Sequence, residues 1–386
     1  MPDLAADGGN SATRVSERTK VVLWARAAGR CQYDGCNASL IGDFISGNED
    51  ANFGFVAHIV ASKPRGPRGD GLRSPRLRDD VANLMLLCHR HHKLIDVDDE
   101  AGHPEMRLLA MKRQHEERIA ITSAVSPDKA SHMLRYAAKI GQRESLVSYP
   151  DLAAAMLPDR FPADGRSIDI ELTGFPLEDH DPQYWATEQA SLRRRFRLAV
   201  QERLETREIG HMSVFALAPM PLLIELGCLI GDITPTDVYQ RHREPSGWIW
   251  PDTDRNIAFK LTPPDGNTQG PPALSLSISA DIAPSRIYDV LEGAAVWTVS
   301  VPGPHNDIVK SREDLARFRT LMRQTFNAIK LRHGENGCVH VFPAMPASLA
   351  VELGRVWMPK ADLPMLLYDQ NRKSGGFLPA IQIGNV

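Results

Sequence analysis

Asn83-Leu84-Met85-Leu86-Leu87-Cys88-His89-Arg90-His91-His92 runs from an asparagine through an apolar stretch into a cysteine and three histidines. Upstream stand Cys31-Gln-Tyr-Asp-Gly-Cys36 and the short segment Ala57-His58-Ile59. Cys31 and Cys36 offer two soft ligands from a tight, glycine-containing turn. Cys88 and His91 offer two more at Cys-x-x-His spacing, which completes a tetrahedral Cys₃His set for zinc. A closed four-ligand site is structural, and it would staple two distant segments of a domain whose own core is small. His91 and His92 are adjacent, so on a helix their side chains diverge by about 100° and do not easily serve one ion. Helical geometry leaves open which of them closes the zinc, because positions three and four after Cys88 both lie near its face. If His91 does so, His92 is left for a second ion, with Asp96 four residues on along the same helical face. A hard divalent cation such as Mg²⁺ or Mn²⁺ suits that mixed nitrogen and oxygen environment.

Three of the five cysteines fall in the first ninety residues of a 386-residue chain that shows no apolar N-terminal segment and no apolar run of membrane-spanning length. A cytosolic (cytoplasmic) protein without a membrane partner is expected, and in a reducing compartment thiols beside histidines read as metal ligands rather than disulfides. Cys228 and Cys338 have no such neighbours and are expected to be inert core residues. The length predicts two or three domains. A formal net charge of −3 gives no global attraction for nucleic acid. Local charge does: Lys63, Arg65, Arg68, Arg73, Arg76 and Arg78 are opposed only by Asp70 in a stretch broken by Pro64, Pro67, Gly69, Gly71 and Pro75. Such a loop is suited to gripping phosphates, with Lys63, Arg65, Arg68 and Arg73 as the expected DNA contacts.

Residues 1 to about 16 are small and polar and are expected to be disordered. Val15 to Ala28 reads as an amphipathic helix stopped by Gly29-Arg30. Phe53 to Val60 reads as a strand carrying His58, Asn83 to Asp96 as an apolar stretch entering a turn and helix, and Pro104 to Ile119 as a second helix. Strand, basic loop and helix around a metal form a ββα-metal arrangement of the α+β class. The ordered set of paired cysteines, His-Ile, Asn, and Cys-x-x-His-His resembles the HNH endonuclease family over roughly residues 18 to 120, which implies a domain at 17–122. The resemblance implies His58 as the general base that activates water, Asn83 as the residue that orients it or helps bind metal, and His92 as a ligand of the catalytic Mg²⁺ or Mn²⁺. Many members carry an acidic residue or histidine just before the base, where this chain has Ala57. Asp96 or Asp70 is therefore expected to complete the metal shell. Lys112-Arg-Gln-His115-Glu116 continues the likeness, with packing as its expected role and Lys112 as a possible phosphate contact.

Residues 123–162 look helical and mixed, as a connector would. Beyond them Val-, Ile- and Leu-rich strands alternate with longer amphipathic helices, the pattern of α/β units. Val214-Phe-Ala-Leu-Ala-Pro-Met-Pro-Leu-Leu-Ile-Glu-Leu-Gly227 aligns without gaps to Val341-Phe-Pro-Ala-Met-Pro-Ala-Ser-Leu-Ala-Val-Glu-Leu-Gly354, with seven of fourteen positions identical. Two copies of one unit are present. Each has a strand before this segment (Ile168 to Gly174, Val296 to Gly303), a basic helix with Arg195-Phe196-Arg197 or Arg317-Phe318-Arg319, and a strand after it (Asp237 to His242, Pro364 to Asp369). The arginines are expected on solvated helix faces. The order predicts two small Rossmann-like sheets, at about 163–292 and 293–386. Open sheets of this kind take ligands beyond the carboxyl ends of their strands. Neither copy has a Gly-rich phosphate fingerprint or a Walker lysine, so a nucleotide-like ligand that does not react is the expectation.

The run from Val341-Phe-Pro-Ala-Met-Pro346 through Leu353-Gly-Arg-Val-Trp-Met-Pro-Lys360 to Tyr368-Asp-Gln370 resembles the SAVED domain over about residues 163–386. That family fuses two CARF-like halves, binds cyclic oligonucleotide messengers and occurs in bacterial CBASS antiphage systems. Joined to HNH, it implies an endonuclease that degrades double-stranded DNA. The enzyme stays inactive until a cyclic di- or oligonucleotide, made by a partner cyclic-nucleotide synthase upon infection, binds and drives a homo-oligomer, a dimer at rest, to a higher state. Trp250, flanking Ile249 with Trp248, together with Met345, Pro346, Lys360 and Tyr368, are the candidate ligand contacts. Two other functions remain open. One is a zinc-stabilised DNA-binding regulator with an inactive HNH-like module, motivated by Ala57. The other, an enzyme in the C-terminal half, is weakened by the lack of any clustered acid, base or nucleophile in the repeats.

Overall fold

The structure, a computed structural model, describes residues 15–43, 48–138, 148–172, 183–251, 253, 256–266, 269–371 and 375–384. The expected disorder of residues 1–14 and the end of the expected strand at Gly174 lie outside the described residues. The chain divides into two compact units, residues 1–125 and 126–386. No helix among the described residues is long and apolar enough to cross a membrane.

In the N-terminal unit Ser16 caps α1 (Glu17–Ala27), its hydroxyl accepting from the Thr19 amide at 3.2 Å. Ala28 and Gly29 both take left-handed backbone, φ 51° and 63°, and turn the chain into the first cysteine. β1 (Ile41–Asp43) and β2 (Asn48–Asn52) form a small antiparallel pair. β3 (Gly54–His58) pairs antiparallel with β4 (Leu84–Cys88), from Gly54 opposite Cys88 to His58 opposite Leu84. Between them run the basic loop, the short α2 (Ser74–Leu77) and a 3₁₀ turn at Val81–Asn83. Leu84 to Leu87 are all buried, because both faces of β4 pack into a core shared with Leu23 and Ala27 of α1 and Leu108 and Met111 of α4 (Glu105–Ser123). α3 (His89–Lys93) follows β4 and passes into a π-turn, Leu94–Asp98.

The C-terminal unit contains two sheets. The first uses β5 (Ala130–Ala138), β6 (Phe161–Pro162), β7 (Ile168–Leu172), β8 (Met212–Leu217) and β9 (Thr236–Tyr239), with α5 (Tyr149–Met156), α6 (Tyr184–Phe196), α7 (Glu202–Glu205) and α8 (Met220–Ile230) between them. The second uses β10 (Lys260–Thr262), β11 (Pro272–Ser277), β12 (Ala295–Ser300), β13 (Val339–Ala344), β14 (Met365–Asn371) and β15 (Gly376–Ile383), with α9 (Pro284–Tyr288), α10 (Arg312–His333) and α11 (Ala347–Val356). The parallel cores read β7-β5-β8-β9 and β12-β11-β13-β14, while β10 and β15 close the second sheet antiparallel. Both cores therefore have the order second, first, third, fourth, that of doubly wound flavodoxin-like sheets.

Two expectations are corrected. The helical connector at 123–162 contains β5, the first strand in chain order of the first parallel core, whose apolar Met133, Leu134 and Tyr136 fit a helical face by spacing alone. The sheet buries both of its faces, Leu134 and Tyr136 in one core and Met133 in another. The division at 292/293 is also misplaced, because β11 already pairs with β12 and β13 in the second sheet. Each copy thus begins one strand earlier than the repeat by itself indicated.

The matched Glu-Leu-Gly ends meet each other. A Cβ on Gly227 would run into the Val351 carbonyl and the Gly354 Cα, and one on Gly354 into the Ile224 carbonyl and the Gly227 Cα. The missing side chains let α8 and α11 touch backbone to backbone. Gly354→Val is accordingly expected to destabilise the C-terminal unit by roughly 1–3 kcal/mol or more, lowering its melting temperature by several degrees. Gly210→Ala, at an uncrowded position, should leave the transition in place.

Candidate functional site

The cysteine pair is laid along β4 by Gln32, whose backbone N–H donates to Leu86 O at 2.9 Å and whose side-chain oxygen accepts from Leu86 N at 2.7 Å. Cys31, Cys36, Cys88 and His91 converge, their ligand atoms all within 4.8 Å of one another. His91 Nδ1 lies 3.3 Å from Cys88 Sγ and 3.6 Å from Cys31 Sγ, and the Cys88 amide donates to Cys31 Sγ at 3.4 Å. Tyr33 stacks on the His91 ring at 4.1 Å and its hydroxyl meets His103 Nε2 at 3.0 Å. Burial pushes the metal-free Cys31 thiol up to about 12, helped by the neighbouring thiols and opposed by hydrogen bonds from the Cys88 and Tyr33 amides. Burial, with Arg90 and His103, lowers His91, which favours the neutral imidazole that a metal takes. The donor set, spacing and burial fit zinc, whose charge would expel the thiol protons. With four protein ligands such a centre has no open position and is structural. Burial also raises the Cys228 and Cys338 thiols, in keeping with inert residues.

His58 ends β3, and its Nε2 lies 3.0 Å from Arg78 O. A carbonyl only accepts, so Nε2 carries the hydrogen and Nδ1 keeps the lone pair. Asn83 is buried and fully engaged with backbone: its amide nitrogen donates to Val60 O at 2.8 Å and Leu77 O at 3.2 Å, and its oxygen accepts from Val60 N at 2.8 Å. Its bonds fix the backbone at Val60, two residues beyond His58. His92 stacks on Phe55 at 5.3 Å, and its Nε2 lies 3.4 Å from Asp96 Oδ2. Phe55 and Ala57 alternate onto one face of β3, so the fully buried Ala57 methyl occupies the face that Phe55 turns toward His92.

Several expected roles are not what the side chains do. Asp70 does not join His92 and Asp96 in a ligand group; its Oδ1 accepts from the Leu72 and Arg73 amides at 2.9 and 2.7 Å and builds the turn into α2. Arg68 is no surface DNA contact: its side chain is only 8% exposed and its guanidinium pairs with Asp96. Lys63 and Arg65 are exposed, whereas Arg73 is paired with Glu105. Lys112 is buried against Glu116, so it is not placed to meet phosphate, and His115 donates to Ala27 O at 3.1 Å in a packing role. His92 Nε2 and Asp96 Oδ2 are the two atoms that would hold a divalent ion here, which would supply positive charge beside them. Among the described residues no third His, Cys, Asp or Glu joins them.

In the C-terminal unit the carboxyl edges of the two sheets meet. Gln240, just after β9, accepts from the backbone N–H and hydroxyl of Ser348 at the start of α11, at 3.2 and 2.7 Å. Met345 and Pro346 lie at this edge, buried. The repeat extends here beyond its sequence match: Phe215 stacks on Tyr239 at 4.3 Å with Trp248 edge-on, as Phe342 stacks on Tyr368 at 4.4 Å with Phe377 edge-on. Tyr368 is therefore a core residue, its hydroxyl 3.0 Å from His340 Nδ1, and not a free stacking surface. Trp248 is buried and Trp250 half-buried, and both indole N–H groups lack a hydrogen-bond partner among the described residues. Lys360 is exposed in the turn between α11 and the start of β14, at the amino edge, opposite Met345 and Pro346. Arg195 and Arg197 are exposed, but Arg319 departs from the expected solvated role and pairs at 2.8 Å with the buried Glu352.

Residues 192–383 match the family model described as SAVED, the SMODS-associated and fused to various effectors sensor domain. The match lies within the C-terminal unit and begins inside α6. Among curated proteins none matches the chain. Solved structures that resemble it include the Cap4 SAVED/CARF-domain containing receptor of Acinetobacter baumannii with the cyclic trinucleotide 2'3'3'-cAAA. That structure is 11% identical, with 77% of this chain and 66% of that one covered and a TM-score of 0.43. The same receptor with 3'3'3'-cAAA gives 11%, 77%, 66% and 0.45. The Moraxella osloensis Cap4 receptor gives 10%, 72%, 60% and 0.37. The chain spans just under two thirds of the length of these structures.

Proposed function

We propose that this chain, whose residues 192–383 are a SAVED sensor domain, is a cyclic-nucleotide-gated, HNH-type endonuclease of antiphage defence that degrades double-stranded DNA. The sensor takes its cyclic di- or oligonucleotide at the carboxyl edge where Gln240 meets α11, near Trp250, Met345 and Pro346. A partner synthase supplies the messenger, and binding drives the homo-oligomer to its active form. The observation that carries the nuclease half is His58, tied through Nε2 to Arg78 O so that Nδ1 holds the lone pair, on β3 of the same β3–β4–α3 unit whose helical end carries the His92–Asp96 pair. His58 Nδ1 takes the proton of the attacking water. Asn83 holds the strand end through Val60, which keeps the imidazole aimed. A divalent ion held by His92 and Asp96 supplies charge stabilisation at the scissile phosphate. Lys63 and Arg65 hold flanking phosphates.

Size-exclusion chromatography of the full chain with a panel of cyclic di- and trinucleotides tests the gating. One member should shift the oligomer, and an unchanged elution with every member would contradict a ligand-driven switch. Ala57 favours a second reading, a DNA-binding regulator with an inactive module. It is distinguished by DNA binding without cleavage in a sensitive Mn²⁺ assay with activator present.

A further inference from the structure

We infer that Arg68 is a positioning residue that fixes Asp96 as a one-oxygen ligand of the divalent ion shared with His92, an inference that rests on the nuclease reading of the N-terminal unit. Arg68 stands out in its loop in two ways. Its backbone is left-handed, φ 54°, a conformation costly for a residue with a side chain, and that side chain is nearly buried among exposed neighbours. Nε donates to Ile59 O at 2.7 Å, Nη1 to Ile95 O at 2.7 Å and Nη2 to Asp96 Oδ1 at 2.5 Å, with His58 O 3.5 Å from Nη2. Its own amide donates to Glu100 Oε1 at 2.7 Å.

One planar group therefore ties the end of β3, which carries His58, to the π-turn that carries Asp96. Lysine cannot reproduce this, because a single ammonium does not reach three carbonyls and a carboxylate in one plane. With Oδ1 engaged by Arg68, Oδ2, which faces His92 Nε2 at 3.4 Å, is the oxygen placed to share an ion with it. A one-oxygen carboxylate suits a small octahedral ion with bonds of about 2.0–2.1 Å and handicaps Ca²⁺, which binds at about 2.3–2.6 Å and often uses both oxygens. Arg68 thus sets the choice of ion as well as its place. If the guanidinium acted only through charge, it would repel a second cation, and removing it would tighten binding.

The test is Mn²⁺ binding to the full chain, read by electron paramagnetic resonance of free Mn²⁺, with zinc content measured in parallel. Arg68→Ala and Arg68→Lys should each weaken Mn²⁺ about 10–100-fold with zinc retained, and Ca²⁺ should compete relatively better than in the parent. Tighter Mn²⁺ binding by Arg68→Ala, unchanged binding by both variants, or a parent protein that binds no Mn²⁺ would each overturn the inference. A parent that binds Mn²⁺ yet cuts no DNA with any activator would refute the nuclease reading while the Mn²⁺ comparison still decides the role of Arg68.

Discussion

Cys88→Ala is expected to strip the zinc from the N-terminal unit and unfold it, leaving the C-terminal unit intact. The unit has a small core, built on β4 and the buried faces of α1 and α4. Structural zinc in small domains contributes on the order of 10–16 kcal/mol near pH 7, more than such a core supplies by itself. Loss of Cys88 removes the ligand that joins the two halves of the site, since Cys31 and Cys36 come from one turn and His91 from α3. Cys31, whose thiol burial pushes up to about 12 without metal, then has no reason to ionise. The same linkage gives the direction with pH: protons compete with zinc for thiolate and imidazole, so zinc is lost as pH falls and the unit loosens with it. Metal analysis and limited proteolysis check this, a resistant fragment near residues 126–386 being the expected product. An ordered, protease-resistant N-terminal unit in zinc-free Cys88→Ala would contradict it.

His58→Ala is expected to lower activated DNA cleavage by at least about 10²–10⁴-fold, the range for removing a general base. Zinc content and cyclic-nucleotide binding should be unchanged, because His58 is remote from the Cys₃His cluster in bonding and lies outside the sensor unit. The half-buried ring makes one observed hydrogen bond, to Arg78 O, so truncation leaves a single carbonyl to be satisfied by water at the edge of the site. Cleavage at the parent rate by His58→Ala would remove it as the base.

Sequence spacing singled out Cys31, Cys36 and Cys88 as a candidate metal set but left His91 and His92 undecided, and the fold brings His91 to the three thiols. The repeat was plain, since both copies keep the Glu-Leu-Gly whose glycines must touch. What spacing did not give were the strands that open each copy. β5 carries Arg135 and His132 among its apolar residues and is buried on both faces, so it lacks the alternation of a one-sided strand. β11 alternates leucine with Ser275 and Ser277, the pattern of a one-sided strand, yet both serines are buried in the sheet. In the site, composition marked Arg68 as one more cation in a basic loop. Its burial depends on a backbone turn and three carbonyls that residue types do not reveal. Tyr368 and Trp248 are a similar case, since an aromatic residue near a strand end looks the same in sequence whether it faces ligand or core.

In the proposed switch a ligand on the sensor turns on the nuclease. Plasmid cleavage by the full chain with Mn²⁺, with and without each of a panel of cyclic di- and trinucleotides, tests it most directly. Cleavage is expected only with a matching cyclic nucleotide, and it should be lost in His58→Ala. Cleavage at full rate with no cyclic nucleotide present, or none with any of them, would contradict it.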